Sequence, residues 1–260
     1  MNSLDRARDI LAPPATSTEH PLNWTTLENQ LIQRLPRADR ERLLARCDQV
    51  PLGLGEVLSE PGAKAEFAYF PTEGFISQVV EVAGKPPLEV GLVGFEGMLG
   101  IGLALDVVHS PLQAVVRRAG MAWRIPAEAL RPELASESAL QQVLSRYASV
   151  LIKQLGTHAT CLRFHLIEHR LARWLLMAQD RARADQFHVT HEFLAAILGV
   201  RRVSITTAAG SLQRDGLIKY QHGEVTVVNR RGLKARVCAC YASDQAAYAQ
   251  GLSCESSEVL

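Results

Sequence analysis

No stretch of this sequence is apolar for the roughly 18 residues that a membrane-spanning helix needs, and its first residues, MNSLDRARDI, hold no apolar signal core. Both absences point to a cytoplasmic chain with no membrane partner. Cysteine is scarce as well: Cys47, Cys161, Cys238, Cys240 and Cys254 are odd in number and widely spaced. Such a set does not make a disulfide framework, so free thiols in a reducing compartment are expected. Cys238 and Cys240 have a single residue between them, too few for a CxxC knuckle, and no second pair accompanies them. They read as structural. Hydrolase signatures are missing too. There is no HExxH, GxSxG or paired-carboxylate site, and His165-Leu-Ile-Glu168-His169 has a different spacing. An enzyme is not expected.

What is present is an ordinary globular composition, 47% hydrophobic and 21% charged, with a net charge of +1. That near-neutral total hides a division along the chain. Residues 1–159 hold 15 Lys+Arg against 18 Asp+Glu, residues 160–236 hold 13 against 6, and residues 237–260 hold none against 3. A basic block inside a neutral chain is the footprint of a module that meets nucleic acid. Cations that merely solvate helix faces would give the same count.

The texture changes several times along the 260 residues. Residues 1–26 are polar and broken by proline, and read as a loose arm. One helix is expected from Leu27 to Cys47. From Val50 to Ile125, short apolar runs such as FISQVVEV and LEVGLV alternate with glycine and proline turns. That spacing indicates antiparallel β structure, with no room for crossover helices. A helix of six or seven turns follows from Glu137 to Cys161, with Leu140, Val143, Leu144, Tyr147, Val150, Leu151 and Leu155 on one stripe. The stripe suits a parallel dimer seam, or a linker helix packed within its own chain. Another helix is expected from Leu162 to Arg183. The chain thus divides into an arm (1–26), a β domain (27–136), a long helix (137–160), a C-terminal domain (161–250) and a tail (251–260).

The segment THEFLAAILGVRRVSITTAAGSLQRDGLIKY carries the sharpest signal. Thr190 is placed to cap a helix, Gly199 to end it in the left-handed conformation, and a second helix should run from Arg201 or Arg202 to about Arg214. Two helices joined by a short glycine turn form a helix-turn-helix, whose second helix enters the DNA major groove. Adjacent arginines at its start fit that role, because arginine pairs bidentately with guanine, worth about 1–3 kcal/mol against a wrong base. Val203, Ala208 and Leu212 would face inward, leaving Arg202, Ser204 and Thr207 outward, while Val203 or Ile205 could meet a thymine methyl. The strands that follow, turning at His222-Gly223, read as a wing resting on phosphate.

From THEFLAAILGVRR through GLIKYQHGEVTVVNRRGL, with HLIEHRLARWLLMAQDR before it and YFPTEGFIS and EVGLVGFEGMLG in the first half, the sequence resembles the Crp/Fnr superfamily of bacterial transcription regulators. The resemblance implies an α+β fold: an N-terminal antiparallel β-roll of the cyclic-nucleotide-binding type, a long dimerisation helix and a C-terminal winged helix-turn-helix. It implies a homodimer on double-stranded DNA with an inverted-repeat operator, and RNA polymerase as a further partner. DNA contacts would fall on Thr190, His191, Arg201, Arg202, Val203, Ser204, Thr207 and His222, with Thr190 and His191 at phosphate. A small-molecule sensor that signals through a protein partner is the alternative, and the basic block speaks against it.

For an effector the resemblance gives Glu96 and Gly97 as ribose-side residues. Where its phosphate-binding arginine and hydroxyl would stand, this chain has Leu112 and Gln113. A buried phosphate needs a paired charge, so an ordinary cyclic nucleotide is not expected and the effector stays open. One lone Cys47 in the N-terminal half does not supply an iron–sulfur cluster. His158, Cys161, His165 and His169 fall at steps of three and four, and would share a face only if their helix were unbroken. Packing at a hinge is the expectation for them, a metal or redox site the alternative, and no cofactor is assigned.

Overall fold

A computed structural model describes residues 28–134 and 138–252. The arm expected over 1–26, most of the tail over 251–260, and Cys254 lie outside the described residues. Two short helices open the described chain, α1 (Gln30–Gln33) and α2 (Arg37–Leu44), in place of one helix from Leu27 to Cys47. Pro36 divides them. Its ring removes a backbone N–H and disfavours helical backbone at Leu35, but suits the position just before α2. Asn29 caps α1 through Leu31 N, and its amide donates to the carbonyls of Pro71 and Gly97, which pins the helix to the β domain.

The strands are β1 (Asp48–Leu52), β2 (Val57–Ser59), β3 (Phe67–Pro71), β4 (Phe75–Val80), β5 (Leu88–Val93), β6 (Gln113–Arg118) and β7 (Gly120–Pro126). They form two antiparallel sheets, ordered β1-β7-β3 and β2-β6-β4-β5. Alternating side chains of both sheets meet in a core of Leu52, Ile76, Val93, Ala114, Val116 and Ala122. A single turn of helix, α3 (Ala127–Leu130), closes the roll.

Next comes α4 (Ala139–Phe164), capped by the Ser138 hydroxyl on Gln141 N at 3.0 Å and unbroken through Gly156. The chain then turns extended at His165 and Leu166 before α5 (Ile167–Ala182), so the break falls a turn later than the sequence suggests. The C-terminal domain continues with β8 (Gln186–His188), α6 (His191–Ile197), α7 (Arg202–Arg214), β9 (Ile218–Gln221), β10 (Glu224–Val227), α8 (Arg230–Arg236) and α9 (Ala239–Gly251). No single helix among the described residues is long and apolar enough to cross a membrane.

The apolar stripe of α4 divides into a covered half and an exposed half. Leu140, Leu144, Tyr147 and Val150 are buried in one cluster with Leu31, Phe70 and Met98 on one side and Ala247 and Leu252 on the other. The last two belong to α9 and its C-cap. The approach is close: a Cβ on Gly251 would lie 2.5 Å from Val150 Cγ2. This half of the stripe is therefore covered within the chain. Ile152 and Leu155 stay 71% and 50% exposed.

Candidate nucleic-acid interface

The Thr190 hydroxyl accepts from Phe193 N at 3.1 Å and starts α6, as its sequence position requires. Gly199 stops that helix at φ +62°, a conformation costly for a residue with a Cβ. The next helix, α7, makes an angle of 112° with α6. Its inner face is Ile205, Ala208, Ala209 and Leu212, packed in the core that also holds Leu194, Ile197 and Trp174. Ile205 is fully buried and meets no base, whereas Val203 is 64% exposed and does not belong to the core. The inward phase is thus set by 205, 208/209 and 212 rather than by Val203.

The outer face collects Arg201, Arg202, Val203, Thr206 and Thr207, all exposed, with Ser204 half-buried beside them. No acid sits in the first turn, and Arg201 at the N-cap makes no side-chain hydrogen bond to the helix. Ser204 N donates to the Arg201 carbonyl at 2.9 Å, which leaves the N–H groups of Arg202 and Val203 to an external acceptor at the positive end of the helix. Arg202 has one loose contact, 3.7 Å to the exposed Glu192 carboxylate. The Thr206 and Thr207 hydroxyls donate to the Arg202 and Val203 carbonyls, keeping lone pairs outward. Thr206 was not singled out from the sequence, although it stands one turn from Arg202.

His191 is held more firmly than a phosphate contact requires. Its ring stacks on Tyr220 at 4.3 Å, and Nδ1 lies 3.1 Å from Thr206 Oγ1. Burial, and then the neighbouring Arg202, keep its pKa below the ordinary histidine value. The neutral ring ties α6, α7 and β9 together. On the wing, β9 and β10 pair Gln221 with Glu224, leaving a two-residue turn. His222 and Gly223 fill it at φ 52° and 82°, and His222 is exposed at the tip.

The basic block divides once its partners are seen. Arg173 pairs with Asp244 at 2.5 Å, Arg181 with Glu96 at 2.7 Å, Arg230 with Asp180 at 2.6 Å, and Arg236 with Glu168 and Asp215. Arg170 donates to the Leu198 carbonyl, which closes the base of α6 on α5. These cations hold the domain together. Arg201, Arg202, Arg214, Lys219, Arg231 and Lys234 remain exposed for an anion.

Three of the residues expected to line an effector pocket have close neighbours of their own. Glu96 is buried and engaged by Arg181 of α5, while Gly94 N donates to it at 3.2 Å. A Cβ on Gly97 would lie 2.3 Å from the Tyr147 hydroxyl of α4. Gln113 donates to Glu60 at 3.0 Å. The four-residue metal candidate also separates. His158 lies with Glu89, Gln154, Cys161, Arg170 and Arg173 around a cavity of about 30 Å³, and His169 Nδ1 lies 2.6 Å from the Arg236 carbonyl. Cys161 and His165 instead meet Cys238 and Cys240.

Comparison with known proteins agrees with this geometry. Residues 169–236 match the family model described as the Crp-like helix-turn-helix domain. A sequence comparison with curated proteins finds no match. Among solved structures, FixK2 from Bradyrhizobium japonicum is similar at 14% identity, with 74% of this chain and 98% of that one covered and a TM-score of 0.63. CLP of Xanthomonas campestris, described as a c-di-GMP-responsive global regulator, gives 20%, 74%, 99% and 0.60. A CRP/FNR-family transcriptional regulator from Thermus thermophilus gives 22%, 73%, 97% and 0.60.

Proposed function

Since the chain has the fold of Crp/Fnr transcription regulators and carries a Crp-like helix-turn-helix domain at residues 169–236, we propose that it is a cytoplasmic homodimer that reads an inverted repeat in double-stranded DNA. The observation that carries this is the exposed, uncapped start of α7, with Arg202, Val203, Ser204 and Thr207 beside free helix N–H groups. A helix presented this way places its N-terminal side chains on base edges and its backbone on phosphate. Thr190 and Arg201 flank the groove at the backbone, and the His222 wing tip meets a neighbouring phosphate.

The dimer seam in this reading lies on the second half of α4, where Ile152 and Leu155 are exposed and Gly156 and Ala159 allow close approach. The sensor domain works without an ordinary cyclic nucleotide. In support, Leu112 and Gln113 offer no cation to a phosphate, and Glu96 is already neutralised by Arg181. RNA polymerase is the further partner this class of regulator addresses.

Selection from a pool of random duplexes tests the reading. The expected product is a two-fold symmetric sequence with half-sites about 34–36 Å apart, one helical turn. A pool that stays random, or a single unrepeated half-site, would overturn it.

A further inference from the structure

Four side chains with no part in DNA reading meet where α4 ends and α9 begins. Cys161 is in the last turn of α4 and His165 caps it, while Cys238 is the N-cap of α9 and Cys240 lies in its first turn. Three sulfurs and one ring nitrogen lie within 4.8 Å of one another. Cys161 Sγ and Cys238 Sγ are 3.6 Å apart, and Cys240 Sγ is 3.5 Å from His165 Nδ1. We propose that these four residues bind one tetrahedral divalent ion of the zinc class.

The distances fit that chemistry. Zinc bonds of about 2.3 Å to sulfur and about 2.0–2.1 Å to nitrogen give tetrahedral edges of roughly 3.8 Å between sulfurs and 3.6 Å between sulfur and nitrogen. Both measured edges lie close to these values. Three cysteines and one histidine are also the donor set of a closed structural zinc site, with no position left for water. A cluster of several irons would spread its thiolates wider than this group allows.

The surroundings suit thiolates. All three sulfurs are buried, on residues 2–9% exposed. No side chain caps the start of α9, so its first N–H groups and the positive end of the helix serve Cys238 and Cys240. The Arg173–Asp244 pair lies alongside, joining α5 to α9. On binding, each thiol releases its proton to solvent, and three thiolates with a divalent ion carry one net negative charge. The ion joins segments 77 residues apart across the break at Leu166. It thereby fixes how the DNA-reading domain hangs from the long helix.

The test uses reduced, chelator-stripped full-length protein titrated with cobalt(II). One equivalent per chain should bind, with a thiolate charge-transfer band and the intense visible bands of a tetrahedral ion, and zinc should bleach both. Zinc should also shield Cys161, Cys238 and Cys240 from alkylation, read by mass spectrometry, and leave labelling of Cys47 unchanged. Cys240→Ser and His165→Ala should lose the tetrahedral spectrum, and Cys47→Ser should keep it. Should a variant fail to fold, the wild-type alkylation pattern decides alone. Absent cobalt bands, labelling indifferent to zinc, iron with acid-labile sulfide, or a Cys161–Cys238 disulfide that persists in the reduced preparation would each overturn the proposal.

Discussion

Replacing Arg181 by Met is expected to lower the stability of the protein by about 3–5 kcal/mol, the usual cost of leaving one partner of a buried ion pair alone. Arg181 comes from the last turn of α5, where the helix dipole favours a cation. Its Nε lies 2.7 Å from Glu96 Oε1, and Nη1 donates to the Met177 carbonyl at 3.1 Å. Both side chains are at most 10% exposed. Gly94 makes room for this contact, since a Cβ there would lie 2.7 Å from Arg181 Cγ. Without the guanidinium, Glu96 keeps only the Gly94 N–H at 3.2 Å, and Oε2 already has no partner. Urea denaturation at fixed protein concentration measures the loss. Adding Glu96→Gln to Arg181→Met should recover a large part, because the stranded charge is removed. A loss below about 1 kcal/mol, the range of exposed pairs, would mean that Glu96 faces solvent or a ligand instead.

Glu89→Gln should show the second largest effect, and it should appear as a pH dependence. Glu89 is fully enclosed between β4, β5 and α5, accepting from Ser77 Oγ at 2.5 Å and Trp174 Nε1 at 2.7 Å. Burial raises its pKa to about 7 from 4.5, against the lowering effects of those two donors, Arg117 and Arg181. A carboxyl shifted upward holds its proton longer in the folded state. Its contribution is fully present below pH 4.5 and is lost as pH rises through 7. The difference amounts to about 3 kcal/mol. Glutamine keeps an acceptor oxygen for Trp174 Nε1, turns an amide N–H toward the Ser77 hydroxyl, and has no proton to lose. The stability of Glu89→Gln relative to wild type should therefore climb by about 3 kcal/mol between pH 4.5 and 7.

His158, nearby, works in the opposite sense. Burial, then Arg173 and Arg170, lower it to about 4. Its contribution is lost as pH falls from 6.5 through 4, which flattens the wild-type curve where the two windows overlap. Comparing variant with wild type at each pH cancels the His158 term. A difference that does not change with pH would show that the carboxyl is not sealed between the β-roll and α5.

These two contacts also show where sequence reading stopped. The helix-turn-helix was legible because each boundary is set by local chemistry: a hydroxyl at Thr190, a left-handed glycine at 199, and a two-residue turn at His222-Gly223. The β-roll was legible from alternation and turn spacing. Glu96 and Arg181 could not be paired from sequence, since only the docking of two domains brings them together. The stripe on α4 was legible as apolar, but not the division between the half covered within the chain and the half left exposed. Its cover, α9, is rich in alanine and weakly patterned, and buries few large side chains beyond Tyr241. Spacing along one helix gave only part of the surroundings of Cys161, since His165 stays beside it. His158 and His169 share its local period, but chain reversal after α8 supplies Cys238 and Cys240 instead.

Equilibrium binding of Arg202→Ala to the selected operator and its single base-pair substitutions, at two salt concentrations, tests the central claim most directly. Wild-type affinity should fall steeply with salt as phosphate-bound counterions are released. The variant should bind the parent operator about 1–3 kcal/mol more weakly and cease to discriminate at one base pair in each half-site, while its other preferences stay intact. Equal weakening on every sequence would put Arg202 on phosphate alone, and unchanged binding would remove α7 from the DNA. Either result would contradict the assignment of this helix as the base reader.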